Sequence, residues 1–103
     1  DIRFYFRQID RADEDRLRDY LTEKKMGRLT RLLQHGNLEL AELELRVEHS
    51  EHHNIFSVKL DLIIAKNNLA AHEDGHNLIE AFDLAFDNLV NRLRKLESIR
   101  HDK

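Results

Sequence analysis

The sequence contains no cysteine and no proline, and only three glycines. Each shortage closes off a class of protein. Without cysteine there is no disulfide scaffold, no thiolate zinc module and no thiol catalysis. The glycines, Gly27, Gly36 and Gly75, are scattered, so no glycine-rich loop can cradle a phosphate. The longest uninterrupted apolar run is Leu62-Ile63-Ile64-Ala65. A membrane-spanning helix needs roughly 20 apolar residues. Ser50, Ser57 and Ser98 lack a nucleophile context. No charged-then-apolar leader opens the sequence, and a cytoplasmic location is expected.

What is present is 103 residues at 12.3 kDa, 41% hydrophobic and 36% charged. That is one domain's worth of chain with enough apolar residues for one core. The core is expected over about residues 2–97, with a frayed tail at 98–103. The net charge of -3 argues against a uniformly cationic nucleic-acid binder. The charge is nevertheless sorted into blocks. Lys24 to Gly36 holds four bases and no acid, and Asn88 to Lys103 holds five bases against two acids. Asp10 to Asp19 has five acids against three bases, and Glu39 to Glu51 has five acids and one base.

Ile2, Phe4 and Phe6 alternate with Arg3, Tyr5 and Arg7, the period of a half-buried strand. Asp13-Glu14-Asp15 then suits a helix start, with Asp13 as its N-cap. Leu17, Tyr20 and Leu21 begin an apolar stripe, and Met26, Leu29, Leu32 and Leu33 continue it. Between Leu21 and Met26 the stripe slips by one residue. A single π-bulge or local unwinding would restore the phase. Gly36 is the expected stop. Leu43, Leu45 and Val47 mark a second strand. Phe56, Val58, Leu60, Leu62 and Ile64 mark a third, after a polar turn at 50–54. Lys66-Asn67-Asn68 reads as a tight turn, Leu69 to His72 as a short fourth strand, and His72 to His76 as a loop. Asn77 with Glu80 makes a capping-box pattern. It opens a last helix whose apolar face is Leu78, Phe82, Ala85, Phe86, Leu89, Leu93 and Leu96.

The order is β-α-β-β-β-α, an α+β two-layer fold. A four-stranded sheet carries both helices on one face. The other face would carry Arg3, Tyr5, Arg7, Glu42, Glu44, Arg46, Lys59 and Asp61, paired across strands. If the helices run parallel, their C-terminal halves meet, and the two basic blocks form one patch.

Several segments resemble the ribosome hibernation promoting factor family, which includes the ribosome-associated inhibitor protein Y. Leu17-Arg18-Asp19-Tyr20 followed by Lys25, Arg28 and Arg31 resembles the family's first helix, with one extra residue between Tyr20 and Lys25. Leu69-Ala70-Ala71-His72-Glu73 resembles the strand before the last helix. Glu80-Ala81-Phe82-Asp83, Asp87-Asn88-Leu89 and Leu93-Arg94-Lys95 resemble that helix. The resemblance covers Ile2 to about Lys95. It implies a shape like that of double-stranded RNA binding domains. It also implies a non-enzymatic factor that binds the small ribosomal subunit and its rRNA in the mRNA and tRNA channel. Such a factor blocks translation by steric exclusion in stress or stationary phase. By the same resemblance, Lys25, Arg28, Arg31, Arg92, Arg94 and Lys95 are candidate phosphate contacts. Ile79 stands where the family often has tyrosine, and Asn88 where lysine is common.

The remaining signals have simpler readings. His49, His52 and His53 cluster at a turn and His72 and His76 near another, without cysteine or His-Glu-x-x-His spacing for zinc. No metal and no cofactor are expected. Asp10, Asp13 and Asp15 lack the glycine and terminal glutamate of a calcium loop. Glu42, Glu44 and Glu48 lack the apolar surround that would tune a catalytic acid. Tyr5 could stack on a base, but cross-strand packing is the plainer role. No small-molecule substrate is expected. The alternative function is a protein-interaction or self-association module, such as a weak homodimer, using the acidic strand face or a sheet edge.

Overall fold

Alternation of apolar and polar side chains builds the sheet. The structure, a computed structural model, describes residues 2–32, 41–64 and 67–101. Strand β1 (Ile2–Arg7) keeps Ile2, Phe4 and Phe6 half-buried and exposes Arg3, Tyr5 and Arg7. Strands β2 (Glu42–Ser50), β3 (Ile55–Ile64) and β4 (Asn67–Gly75) follow. The sheet order is β1-β2-β3-β4. β1 runs parallel to β2, with Ile2 opposite Leu43 and Phe6 opposite Val47. The other pairs are antiparallel, with Leu45 opposite Leu60 and Leu60 opposite Ala71. A parallel neighbour requires a long crossover rather than a hairpin, and the first helical segment supplies it.

That segment is α1 (Arg11–Tyr20), a π-helical turn (Leu21–Lys25) and α2 (Met26–Leu32), continuous in backbone. The slip in the apolar stripe therefore falls where the helix widens by one residue. Leu17 and Leu21 before the turn and Leu29 after it all reach the core. The last helix, α3 (Leu78–His101), opens as the capping pattern predicts, with the Glu80 amide donating to Asn77 Oδ1 at 3.0 Å. It buries Leu78, Ala81, Phe82, Ala85, Phe86, Leu89, Val90 and Leu93. These residues pack with Leu43, Leu45, Val47, Val58, Leu60 and Leu62 of the sheet in one core. Both helical segments thus cover one sheet face. Arg18 caps that layer at its β1 edge, its guanidinium 4.5 Å from the Phe4 ring centre and 5.2 Å from that of Phe6.

Three local expectations are corrected. The first helix is capped by Asp10, not Asp13; the Asp13 amide donates to Asp10 Oδ1 at 2.8 Å. β4 spans nine residues, absorbing the expected turn at Asn67-Asn68 and the expected loop from His72 to Gly75. An edge strand is held by its neighbour's backbone groups, so polar Asn67 and Asn68 can pair with Ile64 and Ile63. α3 runs as far as His101. On the open face, Arg3–Glu42 and Arg7–Glu48 do pair across strands. Arg46–Glu44 and Lys59–Asp61, however, pair along their own strands. The expected stop at Gly36 and the turn residue Lys66 lie outside the described residues.

Candidate nucleic-acid interface

The contacts between the first helical segment and α3 fix their relative direction. Lys25 Nζ lies 3.2 Å from Asp83 Oδ1, and Arg28 Nη1 lies 3.3 Å from Asp87 Oδ1. Partners ascend together on both elements, so α2 and α3 run parallel. The described basic residues of the two blocks accordingly follow one another in the same direction along the helix pair. The two rungs differ in character. At the first, the Tyr20 hydroxyl donates to both Asp83 oxygens, at 2.8 and 2.9 Å. Lys25 sits there too, 5.5 Å from the Tyr20 ring centre and 5.9 Å from that of Phe86. At the second rung, Arg28 and Asp87 make one contact between side chains 38% and 55% exposed.

Burial and the bond to Asp83 hold the Tyr20 hydroxyl above the ordinary tyrosine range. Burial alone would lower the Lys25 ammonium. The neighbouring Asp83 carboxylate and Tyr20 hydroxyl more than offset it and hold Lys25 above the ordinary lysine range. Both folded values are raised, so both groups contribute stability that is complete below their unfolded values. Those values are about 10 for tyrosine and about 10.4 for lysine. That contribution is lost as pH rises through the folded values. Melting temperature should therefore fall above about pH 10. Tyr20→Phe should lower stability by about 1 kcal/mol at neutral pH and flatten the alkaline fall. An alkaline slope identical to wild type would show that this node does not titrate.

The other candidates separate by helical phase. On α3, Arg94 lies seven residues after Asp87, about two turns, on the line that faces α2. Lys95 lies seven residues after Asn88, on the outer surface between the Asp87 line and Arg92. Arg92 falls on the opposite flank with Asn88, whose side chain donates to Glu73 of β4 at 3.0 Å. The helices thus bring Arg28, Arg31 and Arg94 toward one surface, with Lys95 at its outer margin and Arg92 furthest from it. Arg31, Arg92, Arg94 and Lys95 are exposed. Arg31 donates from Nε to the Gly27 carbonyl at 3.4 Å. Arg92, Arg94 and Lys95 have no ion-pair partner among the described residues. Lys24 is exposed on the same segment.

Residues 2–100 match the family described as Sigma 54 modulation protein / S30EA ribosomal protein. The chain belongs to that family. This is the hibernation-factor family that its helix motifs resemble. The fold is also that of the Thermus thermophilus Protein Y N-terminal domain, with a TM-score of 0.70 and 21% identity over 93% of this chain and 98% of that one. A ribosomal subunit interface protein from Coxiella burnetii is similar, with a TM-score of 0.60 and 12% identity over 94% and 97% of the two chains. No curated protein matches at a comparable level.

The family's motif positions take on distinct parts here. The extra residue after Tyr20 is absorbed by the π turn, so Lys25 still meets α3. Asn88 binds β4, and Ile79 packs against the core. The carboxylates of Asp83 and Asp87 were invisible as site residues in the sequence. Their four-residue spacing puts both on one face of α3, but nothing local names the partners facing them. His49 and His76 serve the sheet end at the β2–β3 turn. His49 stacks on Phe56 at 4.3 Å between ring centres and contacts Asn54 Oδ1 at 3.0 Å. His76 donates from Nδ1 to the Asn54 carbonyl at 2.8 Å. Among the described residues no three potential ligands converge on a metal position. Tyr5 lies under the Arg46 guanidinium, 4.3 Å away, in cross-strand packing.

Proposed function

We propose that this chain is a ribosome-associated hibernation factor. It binds the small ribosomal subunit in the mRNA and tRNA channel, through rRNA, and inhibits translation by steric exclusion under stress or stationary phase. The observation that carries the reading is the parallel run of the helices, which supports a shared surface for two separate basic blocks. Family membership supports it. Arg31, Arg94 and Lys95 are the primary phosphate contacts, with Arg28 beside them. Lys25 is an anchor between the helices, and Arg92 is a peripheral contact. The protein works in the cytoplasm as one ribosome-binding unit, without chemistry or cofactor. Among the described residues no helix is long and apolar enough to cross a membrane.

Neutralising phosphates releases counterions, so affinity should fall linearly with salt on logarithmic axes, by about 0.7 to 0.9 per phosphate contacted. Co-sedimentation with purified small subunits across a salt series should show saturable one-to-one binding with a slope of about -2 to -4 for three or four contacts. No binding at low salt would overturn the reading. A salt-resistant dimer in light scattering, without ribosome affinity, would favour self-association instead.

A further inference from the structure

The two carboxylates that face the basic segment of the first helix make its cations unequal. Lys25 is enclosed: Asp83 meets it at 3.2 Å, two rings flank it, and the Tyr20 hydroxyl occupies both oxygens of the same carboxylate. Opening that rung would strip Asp83 of several partners at once. Among the described residues Arg28 is held only by Asp87, through one contact of 3.3 Å, with both side chains substantially exposed. Exposed pairs of this kind are weak and readily exchanged. A phosphate oxygen offers Arg28 the same acceptor chemistry as a carboxylate, with stronger charge.

We propose that Asp87 is an internal phosphate surrogate that sets the RNA selectivity of the basic surface. It occupies Arg28 in the free protein and yields only to a phosphate placed at that position. Asp83 is the fixed counterpart, a positioning residue that keeps the ladder in register while Asp87 exchanges. This rests on the ribosome-binding reading. RNA of arbitrary shape must displace Asp87 without a full set of compensating contacts. A surface that fits the helix pair supplies them at Arg31, Arg94 and Lys95. Asp87 therefore weakens unspecific RNA binding more than cognate binding.

The test is a double-mutant cycle between Asp87→Asn and Arg28→Ala, read as affinity for poly(U) RNA and for small subunits at fixed salt. Asp87→Asn should strengthen poly(U) binding about two- to five-fold, the worth of an exposed pair. Small-subunit affinity should change less, so the ratio between the two ligands narrows. In the Arg28→Ala background the gain should vanish, because Asp87 acts through Arg28. Asp83→Asn should lower the melting temperature without raising poly(U) affinity. An equal gain in the Arg28→Ala background would mean that Asp87 acts only as diffuse negative charge, and the proposal fails. Unchanged poly(U) affinity in Asp87→Asn would also overturn it. Failure of the wild type to bind small subunits would instead sink the ribosome reading, and the poly(U) cycle would still decide the role of Asp87.

Discussion

Small-subunit affinity should fall about 100-fold or more when Arg31, Arg94 and Lys95 are changed together to glutamate, at about 1 kcal/mol or more for each charge-assisted phosphate contact. All three side chains are exposed, and none packs in the core. Circular dichroism and melting temperature should therefore stay close to wild type. Arg28 is left out of the set because a glutamate there would confront Asp87. Arg92 provides the comparison. It carries the same charge on the same helix but lies on the β4 flank, beside Asn88. Arg92→Glu alone should weaken binding less than Arg94→Glu alone. The reverse order would mean that RNA approaches α3 from the β4 side, and the shared surface would have to be abandoned. Wild-type affinity in the triple variant would remove the site altogether.

The second large effect concerns the length of the first helical segment. The π turn over Leu21–Lys25 accommodates one residue more than an α-helix would need between Leu21 and Met26. Deleting Glu23, which is exposed, converts the apolar steps into the ordinary three-and-four pattern. That variant should fold, melt no lower than wild type, and keep its affinity for small subunits. Inserting one alanine after Glu23 does the opposite. A further residue rotates everything beyond it by about 100°. Leu29, which is 2% exposed, would leave the core, and Arg28 would leave Asp87. The expected loss is about 2–5 kcal/mol, that of emptying a buried leucine site, within a total stability of about 5–15 kcal/mol. Urea unfolding of the two variants measures both. Equal destabilisation by deletion and insertion would show that the π turn is itself required.

The residue pattern alone determined which segments are strands and helices, because burial of one face imposes a period on each. Ile2, Phe4 and Phe6 had to share a face, as did Val58, Leu60 and Leu62. The five-residue step from Leu21 to Met26 had to be absorbed somewhere within it. The charge blocks were equally legible, as was the resemblance carried by the motifs around Tyr20, Asp83 and Arg94. The full length of β4 was not. Asn67, Asn68, Glu73 and Asp74 show no apolar alternation and are held in the strand by the backbone of β3.

Only the tertiary structure decided what the basic residues face. Tyr20 and Asp83 lie 63 positions apart, and their contact exists because two helices pack in parallel on one sheet. That packing divides five cations of similar sequence context into different kinds. Lys25 is enclosed, Arg28 is held by an exposed carboxylate, and Arg31 and Arg94 are turned to one surface. Arg92 is set on the far flank. Local periodicity sets the phase of a side chain around its own helix. The neighbour waiting at that phase depends on helix direction and register, which arise only when the whole core is assembled.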